Sequence, residues 1–327
     1  MEEENIDILH WLKPDYLRLI LDYQQIEDYL FQKVYHQQRQ FTFKKALAPM
    51  KYQNIHEMRD MFIQLPGFKK LTPNDQKKFE ISLSKTISAR NYYVHQFFDD
   101  LFFKAYNEDT GDYDQEKLDD LDFHLQDELG RVDKVYDNLL VYFGDHIAYA
   151  QRNGDLSHYT LSLTHAHLNK EASSEAHKAE RQEKLPEEFW KLSDDYSSSE
   201  SLLYEIITKV DKKYHCYPAD IANNLHTKSF GEYGKLLSIA TNKEPMFNIF
   251  MNDHIRRLNE FLERLNDLQI DRNYWIHFSL KGYLHRIDRY DFDAYCADVD
   301  IYNRIKKSRA LASEMFNAIF ELNEALK

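Results

Sequence analysis

Residues 90–95 read Arg90-Asn91-Tyr92-Tyr93-Val94-His95, and residues 272–277 read Arg272-Asn273-Tyr274-Trp275-Ile276-His277. Both spell R-N-aromatic-aromatic-aliphatic-H, and they lie 272 − 90 = 182 residues apart. A single R-N-x-x-x-H arises by chance in a chain of this length on the order of once in a hundred cases. Two copies with the same aromatic filling are much harder to dismiss. Sliding the chain by the same interval also lays Phe79 on Phe261, Leu83 on Leu265, Phe98 on Leu280 and Phe102 on Leu284. The pattern predicts a duplicated helical domain.

Composition points to helices. Only 8 Gly and 7 Pro occur among 327 residues, far below average usage, whereas good helix formers abound. The length suffices for two cores, and 14% aromatic residues supply bulk for them. The acidic start Met1-Glu2-Glu3-Glu4 is unlike a secretory signal, and no apolar run approaches membrane-spanning length, so a cytoplasmic protein without a membrane partner is expected. Cys216 and Cys296, far apart and without metal-like spacing, read as reduced thiols.

Net charge is 42 − 55 = −13, at first sight unfavourable for a nucleic-acid binder. Its distribution is uneven. Residues 31–95 carry twelve Lys/Arg against four Asp/Glu, and residues 99–137 carry four against fourteen. Either these are solvated helix faces or a basic RNA-facing zone ends at the first motif and an acidic flank follows.

Along the chain, Leu12, Tyr16, Leu19, Tyr23, Ile26 and Leu30 recur at steps of three and four, one buried helical face. Asp15 or Asp7 is the candidate cap, with Pro14 suited to a first helical position. A second helical stretch over 42–63 is interrupted by Pro49. Thr72 or Asn74 caps the helix that carries Phe79, Leu83 and Ile87 into the first motif and on through Phe98 and Leu101. Another amphipathic helix follows with Leu118, Leu121, Leu125, Leu129, Val132, Tyr136 and Leu140. The expected division is a helical domain over 1–150, a polar His/Ser-rich connector over 151–200, partly helical or mobile, and a second helical domain over 201–327. In the connector His158, His165, His167 and His177 form no complete ligand pattern, so no metal site is assigned. In the second domain Phe261, Leu265 and Leu268 lead into the second motif, and Leu311, Met315, Ile319, Leu322 and Leu326 form a last helix.

On a helix, Asn91 and His95 share a face, as do Asn273 and His277, within apolar stripes that include Phe98 in one copy and Ile270 and Leu280 in the other. A polar pair in such a stripe is costly unless it finds partners. Each Arg is rotated by about 100° but is long enough to curl back. If the halves pack about a pseudo-twofold axis, one cleft gathers two imidazoles, two guanidiniums and two amides. Such a set suits metal-free RNA cleavage. One imidazole takes the ribose 2′-hydroxyl proton and another protonates the leaving 5′-oxygen. Arg holds the phosphate oxygens, and Asn orients the His or binds phosphate.

R-N-x-x-x-H on a helix of a small all-α domain resembles the HEPN superfamily, and the resemblance covers about 1–150 and 200–327. It implies an all-α pair of HEPN-like bundles acting as a metal-independent endoribonuclease, of the kind found in bacterial toxin, abortive-infection and CRISPR-type defence systems. It places the catalytic groups on Arg90, Asn91, His95, Arg272, Asn273 and His277, with no cofactor. RNA is the implied substrate, and an antitoxin or regulatory protein the implied partner. The site forms within one chain or between the two chains of a homodimer. The alternative is a non-catalytic HEPN pair serving protein interaction or nucleotide sensing. Tyr92, Tyr93, Tyr274 and Trp275 either stack on bases or pack the domains. Lys44, Lys45, Lys77 and Lys78 either track phosphates or are merely solvated. No Gly-rich phosphate loop or nucleophile elbow is present.

Overall fold

Chain-breaker depletion has the expected outcome: the computed structural model is an all-α protein. It describes residues 9–37, 55–107, 112–144, 175–225, 230–241, 258–277, 279–280 and 291–326. Lys44, Lys45, His158, His165, His167 and the 151–174 part of the expected connector lie outside these residues. The described residues fall into two compact units, Met1–Gln182 with Ile276–Asp298 and Glu183–Trp275 with Val299–Lys327. No helix among them is long and apolar enough to cross a membrane.

The first unit is organised on α1 (Leu9–Gln37). All six residues of its expected stripe are buried, and Leu17, Leu21 and Tyr29 are buried besides, so apolar contact covers more of the helix than the one expected face, while Trp11 and Arg18 stay exposed. Pro14 lies inside α1 rather than at its first position, and Asp15 is within the helix rather than its cap. Next come α2 (Ile55–Phe62) and the single turn α3 (Pro66–Lys69). Helix α4 (Pro73–His95) starts at Thr72, whose side chain accepts from the Asp75 N–H at 3.2 Å, with Pro73 at the first helical position.

Helix α4 was expected to run through the motif into Phe98 and Leu101. It ends instead at His95, and α5 (Phe97–Asp100) and a π-helical turn (Leu101–Ala105) follow. The Tyr93 carbonyl, which a continuing helix would offer to Phe97, accepts the Tyr16 hydroxyl at 3.1 Å. The Tyr16 ring also stacks on Phe97 at 5.2 Å. A two-residue antiparallel ladder, Tyr106–Asn107 with Asp112–Tyr113, leads to α6 (Gln115–Phe143). Helix α6 packs on α1 through Tyr23 donating to Glu128 at 2.6 Å and Tyr29 donating to the Leu139 carbonyl at 2.8 Å. Beyond Val132 the buried face of α6 turns to Val135 and Leu139, leaving Tyr136 and Leu140 half-buried.

From Glu183 onward the long helix α7 (Glu175–Tyr214) belongs to the second unit. Residues 175–200, read from sequence as the end of a connector, are the first part of this helix. Ser197 and Ser199 are buried within it and do not end it. The short α8 (Ala219–Ala222) precedes α9 (Phe230–Thr241). Gly231 lets α9 approach α10 (Leu258–His277), since a Cβ there would stand 2.0 Å from the Gln269 amide nitrogen. Helices α11 (Phe292–Ala297) and α12 (Val299–Ala325) complete the chain. Trp275 donates to Ser308 at 2.8 Å, tying α10 to α12, and Tyr196 donates to Asp271 at 2.9 Å, tying α7 to α10.

The compact units depart from the expected sequence-order division, because residues 276–298 join the first unit rather than the second. Hydrogen bonds explain this. Gln24 of α1 accepts from the Leu280 N–H at 2.9 Å and exchanges hydrogen bonds with the Ser279 hydroxyl at 3.3 Å.

Candidate functional site

Arg90 is 4% exposed, and each of its guanidinium nitrogens is engaged. Nε donates to Glu27 Oε1 at 3.0 Å, and Nη1 donates to the Asn91 carboxamide oxygen at 3.1 Å. Nη2 stands 2.9 Å from Nδ1 and 3.0 Å from Nε2 of His277. The other oxygen of Glu27, Oε2, lies 2.9 Å from His277 Nδ1. The first motif's guanidinium and the second motif's imidazole, 187 residues apart, thus meet over one carboxylate from α1. All of these residues belong to the first unit.

Proton roles follow from the chemistry of the groups. An ionised carboxylate only accepts and a guanidinium only donates. The Nδ1–H tautomer, with Nδ1–H donating to Glu27 and the Nε2 lone pair accepting from Arg90, satisfies the carboxylate and the guanidinium together, and the approach of Nη2 to Nδ1 is then a contact rather than a hydrogen bond. Burial alone would push the Glu27 carboxyl up. Arg90 and His277 more than offset that, so it is held below the ordinary carboxylate range. His277 keeps 29% of its side chain exposed, against 5% for Arg90 and 16% for Glu27, so the imidazole is the group that reaches solvent.

Arg272 repeats part of this pattern in the second unit. It is 6% exposed, and Nη2 donates to Glu200 Oε2 at 3.1 Å. On another side its guanidinium lies 6.0 Å from the Phe230 ring centroid. From sequence, Asn and His were placed on the buried face with Arg beside it. The structure reverses that order. Both arginines are buried, while Asn91, Asn273, His95 and His277 are half-buried and Ile270 is 55% exposed. The arginines go deepest because each finds a glutamate on another helix. His95 and His277 are alike in being the last residue of their helices.

The aromatic residues divide as the packing alternative had them. Tyr93, Tyr274 and Trp275 are buried, and Trp275 is a core residue at 1% exposure. Tyr92 is half-buried and donates to Asp100 at 3.0 Å. Within each motif the two rings meet edge to face, at 5.1 Å for Tyr92–Tyr93 and 5.3 Å for Tyr274–Trp275. Lys77 and Lys78 are exposed on α4.

Glu27 and Gln24 were missed in the sequence reading. They lie three positions apart on α1, hence on one face, and together they hold the segment 277–280. A glutamate inside an apolar stripe was the available signal: Glu27 follows the fully buried Ile26. Among the described residues no group of three or more His, Cys, Asp or Glu is placed to hold a metal ion. Scans against family models, curated proteins and solved structures return no match, so the chemistry of the site has to be read from its own residues.

Proposed function

We propose that the chain is a metal-independent endoribonuclease of the HEPN type, acting in bacterial anti-phage defence or toxin-type growth arrest, with RNA as substrate and an antitoxin or regulatory protein as restraint. One observation carries the reading: Arg90 of the first motif and His277 of the second share the carboxylate of Glu27. Related burial at the 182-residue spacing supports a duplication: Phe79 and Phe261 are 7% and 6% exposed, and Leu83 and Leu265 are 0% and 2%.

In this reading Nε2 of His277 takes the proton of the ribose 2′-hydroxyl once a scissile phosphate has drawn Arg90 Nη2 away from it. Glu27 holds Nδ1–H, which fixes the tautomer and favours the imidazolium that forms. The 2′-oxygen attacks phosphorus, and Arg90 donates to the non-bridging oxygens as their charge grows. His95 protonates the departing 5′-oxygen. The products are a 2′,3′-cyclic phosphate and a 5′-hydroxyl. Asn91, bound to Arg90, keeps the guanidinium oriented, and Arg272 braces α10 against Glu200.

The test incubates RNA with the protein in excess chelator, comparing wild type with His95→Ala, His277→Ala and Arg90→Lys. Loss of nearly all cleavage in His277→Ala is expected, and cleavage undiminished in both histidine variants ends the assignment. A second reading, the non-catalytic pair, is favoured by the depth at which both arginines are neutralised by glutamates. It predicts that His277→Ala lowers the melting temperature substantially, whereas a catalytic role predicts little change or a gain.

A further inference from the structure

Helices α1 and α6 and the start of α11, all in the first unit, border an open cavity of about 470 Å³. Its lining is Arg18, Asp22 and Gln25 from α1, Asp133 from α6, and Asp291 with its neighbours Phe292 and Asp293. Four carboxylates therefore face one guanidinium. Asp22 is 6% exposed, and its buried Oδ2 makes no hydrogen bond. Arg18 does not supply one: its Nε stands 3.8 Å from Asp22 Oδ2 and its Nη2 stands 3.6 Å from Asp133, and its side chain is 48% exposed. A buried carboxylate without a donor costs free energy that an N–H-bearing cation recovers.

We infer that this cavity binds a small linear polyamine, with ammonium groups on Asp22 and on the carboxylates at its rim. The proposal is separate from the nuclease reading and uses none of its residues. A single metal ion does not suit the lining, because no three of its carboxylates lie close enough together to share one. Charges spread around a cavity suit instead a cation whose charges are spaced by methylenes, with Phe292 offering apolar contact and Gln25 an amide. Asp291 has one oxygen occupied as the cap of α11, accepting from the Ala294 N–H at 2.9 Å, and keeps the other for a ligand.

Charge linkage gives the proposal a signature. Burial, then Asp133, push the Asp22 carboxyl up to about 7, with Arg18 opposing them. The charged groups facing it are Arg18 on its own helix, Asp133 on α6, and Asp291 and Asp293 beside α11. An ammonium seated on Asp22 favours its ionised form, so binding near neutrality releases a proton and tightens as pH rises.

Titration calorimetry with spermidine on the full chain, in two buffers of different ionisation enthalpy, tests this. The expected result is saturable one-to-one binding, buffer-dependent heat showing proton release, and affinity rising by roughly tenfold from pH 6 to pH 8. Asp22→Asn and Asp133→Asn each weaken binding at least ~10-fold, whereas Glu116→Gln, on the same helix as Asp133 and outside the cavity, leaves it unchanged. Circular dichroism confirms that each variant is folded. Heat that never saturates, or equal affinity in Asp22→Asn, overturns the site in favour of diffuse attraction to an acidic protein. Magnesium binding at the same stoichiometry and blocking spermidine also overturns it, in favour of a metal site.

Discussion

Arg90 and Arg272 hold the same place in their motifs and are buried to nearly the same degree, yet they end in different company. Each meets a glutamate from a long helix, Glu27 at 3.0 Å and Glu200 at 3.1 Å. Arg90 shares its glutamate with an imidazole that reaches solvent, whereas Arg272 has the Phe230 ring on its other side. Closely similar sequence motifs thus make one centre in which an imidazole joins the ion pair and one in which the ion pair lies beside an aromatic ring. The lesson is that a motif specifies which groups are offered, and the neighbouring helices decide what those groups can do.

Under the proposed nuclease reading, cleavage gives the largest contrast. Arg90→Lys keeps the charge but loses the fork that spans Glu27, Asn91 and His277, so cleavage of RNA in chelator should fall by ~100-fold or more. Arg272→Lys should stay within a few-fold of wild type. Equal losses in a side-by-side rate measurement would erase the distinction between the two arginines.

Stability should be lost at both places. Arg90→Ala and Arg272→Ala each remove a buried guanidinium from a glutamate it hydrogen-bonds, at a cost of about 3–5 kcal/mol in urea denaturation. Adding Glu27→Gln to Arg90→Ala should restore part of that loss, because the carboxylate charge that Arg90 balances is gone. No recovery would mean that packing rather than charge dominates.

Two carboxylates on α1 extend the comparison to pH. Asp22, whose carboxyl is raised to about 7, binds its proton more tightly in the folded chain than in the unfolded one. Its stabilising contribution is therefore full below pH 4 and lost as pH rises towards 7. Asp22→Asn should accordingly gain ~4 kcal/mol over wild type at pH 8 and little near pH 4. Glu27 has the opposite sign. Its carboxyl is depressed, so its contribution is present at neutral pH and fades as pH falls below the ordinary glutamate range. In Glu27→Gln that acid limb should flatten. Chemical denaturation of both variants between pH 3 and 8 checks both signs.

The smallest effect lies in the motif aromatics. Tyr92→Phe removes the hydroxyl that donates to Asp100 and should cost about 1 kcal/mol. Thermal melts of Tyr92→Phe check this, and a loss of several kcal/mol would mean that the hydroxyl does more than hold Asp100.

Much of the fold was legible residue by residue. The α1 stripe from Leu12 to Leu30, the Thr72 cap and the helical path into both motifs follow from periodicity and capping chemistry, which act over a few neighbouring residues. Reading α4 as continuous past His95 failed because Tyr16, 77 residues away, supplies the competing donor at the Tyr93 carbonyl. What the sequence left open was where the helical part of 175–200 would end: Ser and charged residues are common in loops, while here Ser197 and Ser199 are buried inside a helix that runs on to Tyr214.

At the site, the sequence alone determined the residue types, the repeat and the helical setting, since all three are properties of local spacing. Only the tertiary structure decided that Arg90 meets His277, that Glu27 joins them, and that the arginines rather than the asparagines are buried deepest. The reason is physical: a buried guanidinium is tolerated only where a carboxylate is held within hydrogen-bond reach, and that carboxylate is brought there by a helix 63 residues away in the chain.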